Sequence, residues 1–339
     1  MARNRHSLSY QAKQILDSKL RIGESKHDLR WKGEDISKWI FSYSTYTNYL
    51  KHINYFINYA RKEYATEFGR QPRKLEDCRK YVEPFMRESI AKHSPWTCQL
   101  QICALAKLYN CRTTDFNIDL PKRKRSQIKR SRHSNQMDKH FSEKKNADLV
   151  CFCKCCGLRR RELAAIKGSD LYIDANGIYK LNVTKATKGG RPRQVTVCYE
   201  NQEELDTVIR LCKEAGNSNV FRKISSAADI HFYRHIFALR TYERHARQFT
   251  EFRNERLVIF RNRVIGSYKT VNGKKNFLIF ESICKANKIP LNAKGLRDVS
   301  CAYYCRDDLK GKVLDRKAML ICSQALGHNR ETVLQNYLY

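Results

Sequence analysis

No stretch of this 339-residue chain approaches the roughly 18 to 20 consecutive apolar residues that a membrane-spanning helix needs. The opening residues, MARNRHSLSYQ, hold no apolar core of the signal-peptide kind. Neither a membrane span nor secretion is expected, and the chain is expected in the cytosol. Acidic residues are scarce as well. Against 66 Lys plus Arg stand 34 Asp plus Glu, for a formal net charge of +32. A compact chain tolerates that self-repulsion best when a polyanion neutralises it. Nucleic acid is the leading partner, because Lys and Arg release condensed counterions from its phosphates. An anionic membrane surface is the weaker competitor.

Also missing is any pair of separated C-x-x-C motifs. Fourteen cysteines are many, yet a chain of this length without a signal peptide should keep its thiols reduced. Cys151, Cys153, Cys155 and Cys156 in LVCFCKCCGLRRREL follow a C-x-C-x-C-C spacing inside an apolar helical stretch. That suits small core hydrophobes better than zinc ligands. No paired carboxylates and no His/Cys cluster demand a metal, so no metal and no cofactor are expected.

What the chain does have is 42% hydrophobic residues and length for two domains. Residues 1–36 are polar and basic and read as an N-terminal arm, either a short helix or partly disordered. Residues 37–119 read as an all-helical domain. In YSTYTNYLKHINYFINYARKEY, Tyr46, Tyr49, Leu50, Ile53, Phe56, Ile57, Ala60 and Tyr64 recur every three or four positions behind a Ser44 cap. A second helix covers LEDCRKYVEPFMRESIAK, with a kink expected at Pro84. A third starts at Ser94-Pro95. Residues 120–140, LPKRKRSQIKRSRHSNQMDK and the next residue, are basic, lack apolar periodicity and read as a linker able to lie along a phosphate backbone. Residues 141–339 form a mixed α/β domain. GIYKLNVTKATKGGRPRQVTVCY reads as a β-hairpin around Gly-Gly, DIHFYRHIFALRTYERHA as a helix, and Gly327 as a helix end. Residues 256–287 mix strand and helix signals. The expected fold is mostly α with a small antiparallel sheet.

Four short constellations in this second domain carry chemistry if they converge. Arg159 precedes Glu162 by three residues, on one helical face. Lys188 sits at the hairpin turn. His231 and Arg234 are three apart on a helix. His328 follows Leu326 and Gly327, and Tyr337 lies nine residues further on. Two planar guanidinium forks could hold a phosphodiester and stabilise the charge of a pentacoordinate transition state. A phenol, with an ordinary pKa of about 10, is a weak nucleophile unless a base or a cationic surround activates it. Histidine can accept its proton, and lysine can deliver one to a leaving 5′ oxygen. Arg160, Arg161, Arg191, Arg193, Lys122, Arg123, Lys124 and Arg125 are candidates for DNA-backbone contact.

On these residues the chain resembles the tyrosine recombinases, also called the phage integrase family. CGLRRREL is similar to the family's first box, with Arg159 at the catalytic arginine and Glu162 at its acidic support. HFYRHIFA resembles H-x-x-R-H and assigns His231 and Arg234. KGGRPRQV resembles the hairpin-lysine segment and assigns Lys188. LGHNRETVLQNY places His328 and the nucleophile Tyr337. The resemblance covers about 150–339, and the helical domain is similar to the family's core-binding domain. It implies a fold of helical core-binding domain plus mixed α/β catalytic domain, and a 3′-phosphotyrosyl intermediate formed without metal or ATP. It further implies four protomers on two double-stranded DNA sites, a monomer or weak dimer when free, and an accessory DNA-bending or directionality protein. The overall likeness is to integrases of bacterial mobile and conjugative elements, which implies a bacterial cytoplasmic setting.

Several alternatives stay open at this point. The distance from Arg234 to His328 exceeds the family's common spacing, so an insertion is expected at about 241–305. Within it KGLRDVSCAYY also resembles a second box, with Lys294 and Arg297. Lys185 rivals Lys188, and Tyr339 rivals Tyr337. Only Leu338 and Tyr339 follow Tyr337, so contact between protomers is expected to be minimal there or to come from the insertion. A type IB topoisomerase-like activity and a non-catalytic DNA-binding role are the competing functions.

Overall fold

The computed structural model of the chain describes residues 7–124, 140–187, 190–271, 274–306, 309–328 and 330–338. The chain divides into two compact units, Met1–Gln127 and Ile128–Tyr339. Each has its own core.

The first unit is helical: α1 (Leu8–Asp17), α2 (Lys26–Trp31), α3 (Tyr43–Phe68), α4 (Val82–Lys92) and α5 (Pro95–Leu108). The apolar periodicity of α3 buries Ile53, Phe56, Ile57, Ala60 and Tyr64. Its cap is Ser42, which accepts from the Thr45 amide, two residues before the expected Ser44. Ser94 caps α5 as expected, with Pro95 in the first turn. Pro84 does not kink a long helix. A 3-10 turn, Glu76–Tyr81, precedes α4, and Pro84 falls in the first turn of α4, where its missing N–H costs little. The expected N-terminal arm is also folded in. Leu8, Ala12 and Leu16 of α1 are buried in the same core as α3 and α5.

The second unit begins with α6 (Ala147–Cys156) and α7 (Arg160–Leu163). Cys153, Cys155 and Cys156 are buried on α6 among Phe152, Val208 and Phe237. Strands β1 (Leu171–Ile173), β2 (Tyr179–Val183) and β3 (Arg193–Thr196) make an antiparallel sheet, with Leu181 opposite Val195 and both fully buried. Helices α8 (Gln202–Ala215) and α9 (Ile230–His245) pack on α6.

A separate lobe follows: α10 (Phe249–Phe252), β4 (Glu255–Phe260), β5 (Arg263–Lys269), α11 (Phe277–Ala286) and β6 (Leu296–Ser300). Two strands followed by a helix explain the mixed signals of this segment, and the sheet order is β5-β4-β6. Strand alternation serves two cores. Val258 faces Phe280 and Cys284 of α11, while Leu257 and Ile259 face Phe252 and Leu320. The chain then runs through β7 (Ala302–Tyr304), β8 (Val313–Asp315), α12 (Arg316–Ala325), a 3-10 turn (Glu331–Leu334) and α13 (Gln335–Leu338). Arg247 gathers the neck of the lobe. It pairs with Asp315 at 2.7 Å and Glu255 at 2.6 Å and reaches Cys301 Sγ at 3.1 Å.

Candidate active site

The site grows from the end of α6. Gly157 adopts a left-handed conformation (φ +56°), and a Cβ there would meet the Phe237 ring at 2.2 Å. Only glycine turns the chain in this space. Arg159 follows as the N-cap of α7, and Glu162 sits in the third position. The Glu162 carboxylate accepts from the Arg159 amide and from Arg159 Nη1, both at 2.8 Å. It also accepts a two-pronged pair from Arg193 of β3, at 2.8 and 2.7 Å. Glu162 is 1% exposed. Burial opposes its ionisation, but the bonds from Arg193 and the Arg159 amide outweigh that and hold the carboxyl at about 2.

Two of the candidates for DNA-backbone contact have partners within the protein. Arg193 is bonded to Glu162 and to the Ala325 carbonyl at 2.9 Å. Arg160 likewise donates to the carbonyls of Ser225 (2.7 Å) and Ala228, pinning the loop before α9. A buried carboxylate needs a partner and buried carbonyls need donors, so these guanidiniums are drawn inward. Arg161 and Arg191 remain exposed, as do Lys122, Arg123 and Lys124 of the other unit. Lys188, Arg125 and Tyr339 lie outside the described residues, as does most of the expected linker. Lys185 is exposed.

Helix α9 supplies the second cationic group. Arg234 is 1% exposed and donates to the carbonyls of Gly157 and Leu326. It thus ties the α6 terminus to the α12 terminus. Burial, then the charge of Arg159, pushes it down to about 10, so it stays cationic at neutral pH. Its Nε has no acceptor among the described residues. His231 is exposed in the first turn of α9. Desolvation by the surrounding chain, followed by the charges of Arg234, Arg159 and Arg160, lowers its pKa, while Asp229 acts oppositely.

The C-terminal segment closes the site. Gly327 ends α12 with φ +67°, and a Cβ there would lie 3.0 Å from the Arg193 side chain. His328 follows, and its ring sits 5.4 Å from that of Tyr337 on α13. The Tyr337 ring lies 5.8 Å from the Arg234 guanidinium. His235 Nδ1 is 2.5 Å from the Tyr337 carbonyl oxygen, which fixes α13 against α9. Arg159, Glu162, Arg234, His328 and Tyr337 are therefore gathered at one place, on one chain.

Arg297 is placed elsewhere. It lies on β6 and pairs with the buried Glu331 at 3.1 Å, which also binds Arg316 at 2.8 Å, and it reaches Asn262 Oδ1. Lys294 is exposed on the lobe.

Beside the site opens a cleft of about 640 Å³, lined on one wall by Arg191 and Gln194 and floored by Gly327 and His328. Its other wall is the β4–β5 turn, Arg261, Asn262 and Arg263. Sequence reading missed this turn. The signal was an Arg-Asn pair between two apolar runs, LVIF and RVIGSY, which suits a two-residue hairpin turn.

No model of a known protein family matches the chain, and no curated protein matches it. Solved structures are similar to it at low identity. The XerH site-specific recombinase bound to palindromic difH substrate, in a post-cleavage complex, is 16% identical over 70% of this chain and 84% of that one, with a TM-score of 0.38. The same recombinase in a pre-cleavage complex with difH is 14% identical with the same coverage and a TM-score of 0.36. XerA recombinase is 14% identical over 98% of this chain and 94% of that one, with a TM-score of 0.21. Likeness of this degree leaves the chemistry to be argued from the site itself.

Proposed function

We propose that this chain is a tyrosine site-specific recombinase that cuts and rejoins double-stranded DNA through Tyr337. One observation carries the reading. The Tyr337 phenol lies over a cationic centre in which Arg234 is buried 5.8 Å away and Arg159 is braced by Glu162. Sequence order alone would not bring these groups together, since they come from three separate segments.

In the proposed reaction the Tyr337 oxygen attacks a backbone phosphorus. The phosphorus–5′ oxygen bond breaks, a 3′-phosphotyrosyl link forms, and the 5′ oxygen leaves as a hydroxyl. The phenol's proton passes to a histidine, with His231 held neutral at pH 7 by its lowered pKa. Lys188 is proposed to protonate the leaving oxygen. Arg159 and Arg234 offset charge on the non-bridging oxygens, the work a divalent metal does in other phosphoryl transfers. A partner strand's 5′-hydroxyl then reverses the step, so bond energy is conserved and no cofactor is consumed. Arg234 is closed from solvent in this arrangement, so a phosphate reaches it after the segment bearing Tyr337 shifts. Support for Arg234 over Arg297 as the second arginine comes from the phenol beside the one and the Glu331 carboxylate on the other. Exchange between two sites by four protomers, an accessory protein, and a bacterial mobile element as source belong to the same proposal.

The test is a nicked duplex that traps the covalent product. Wild type is expected to form an adduct that survives denaturing electrophoresis. Tyr337→Phe is expected to bind the duplex with unchanged affinity and form none. An adduct that persists in Tyr337→Phe overturns the nucleophile. Relaxation of supercoiled plasmid lacking any partner site would instead assign a topoisomerase.

A further inference from the structure

The separate lobe contributes more than bulk to this site. Its β4–β5 hairpin turns in two residues, Phe260 pairing directly with Arg263. Arg261 (φ +48°) and Asn262 (φ +66°) both occupy the left-handed region, a conformation that a side chain as large as arginine seldom adopts. The turn is held there from three sides. Arg261 N–H donates to the Gly295 carbonyl at 3.2 Å, the Asn262 carbonyl accepts from Gln324 of α12 at 2.7 Å, and Arg297 reaches the Asn262 side chain. Strained backbone persists only where its surroundings over-determine it, and such places cluster at working sites.

The turn is thereby fixed as a wall of the cleft that contains His328. Arg261 and Arg263 are exposed there, facing exposed Arg191 across the opening. No Asp or Glu lines the cleft among the described residues. Three exposed guanidiniums without a carboxylate repel one another, and an anion of extended, multiply charged form relieves that repulsion.

We propose that the Arg261–Arg263 turn is a phosphate-binding site that grips the DNA backbone beside the reacting phosphodiester. This rests on the recombinase reading for its ligand, duplex DNA, but not for its chemistry. Backbone contacts position the duplex and are blind to sequence, so the turn acts on any duplex.

The experiment titrates full-length protein with a short fluorescent duplex of random sequence across a salt series. The variant is Arg261→Gly with Arg263→Ala, because glycine suits the positive φ and removes the charge without adding backbone strain. A control of equal charge loss, Lys213→Ala with Lys285→Ala, changes exposed residues away from the cleft. Each phosphate contact contributes about 0.9 to the slope of log affinity against log salt. The turn variant is therefore expected to lose nearly two units of slope. Its affinity should fall about tenfold less than wild type's between 50 and 200 mM salt, the range over which such contacts are weakened. The control should keep the wild-type slope. An unchanged slope in the turn variant, or an equal loss in the control, overturns the site. Adduct formation by wild type is scored separately. A slope loss without any wild-type adduct would keep the phosphate site and reject the tyrosine chemistry.

Discussion

Glu162 shows most clearly what a single side chain does here. It is buried, four hydrogen bonds converge on its two oxygens, and its carboxyl is held at about 2 against an ordinary value of 4.5. A lowered carboxylate pKa adds stability that is fully present above pH 4.5 and is lost as pH falls through 2. The linked free energy is on the order of 3 kcal/mol. Urea unfolding of wild type is expected to show this loss on acidification, beyond that of a Glu162→Gln variant. That variant should already be less stable at pH 7, by roughly 3 to 5 kcal/mol, because it strands two guanidiniums. If both proteins lose stability in parallel from pH 5 to pH 2, the carboxylate is not ionised as described. The pairing of Arg159 with Glu162 was legible in the sequence, because three residues is one helical turn. The second partner, Arg193, was not, since it comes from a strand 31 residues away and no local spacing reports it. The partners of Arg160 were hidden for a similar reason, because its acceptors are backbone carbonyls, which carry no mark in a sequence.

At the scale of elements, the amphipathic helices were the most readable. Helix α3 buries the residues that its periodicity selects, and α5 and α9 form where the sequence indicated helices. The lobe of β4, β5, α11 and β6 was not visible as a sheet. Its third strand, β6, pairs with β4 from about forty residues further along, and tertiary pairing of that kind leaves no periodic trace. The junction between α6 and α7 depends on Gly157. Gly157→Ala would place a methyl inside the Phe237 ring and hold alanine at φ +56°. The expected cost is about 2 kcal/mol or more, since overpacking and backbone strain add. The same change should displace the Gly157 carbonyl from Arg234 and depress adduct formation beyond what the stability loss explains. Chemical denaturation together with single-turnover cleavage on folded protein tests both. A variant with native stability would show that the helix end is not as tightly confined as described.

The whole molecule comprises two units with separate cores. Charge and composition indicated a polyanion partner and two domains. They gave no sign that residues 8–17 belong to the first core, because a single short helix has too few apolar positions to reveal what it packs against. Separate cores should unfold in separate steps, so one free energy will not describe the chain. Leu105→Ala, in the first core, is expected to remove about 2 to 5 kcal/mol from one transition and leave the other where it was. Calorimetry would settle this, and a single transition that moves as a whole would count against it.

The Glu331 cluster carries one more consequence. Two arginines moor this buried carboxylate, and Tyr337 hangs six residues beyond it. If the mooring holds while the phenol is in use, those six residues form a leash whose full reach is about 20 Å. On the proposed mechanism, any strand that the phenol attacks must then pass within that radius of Glu331.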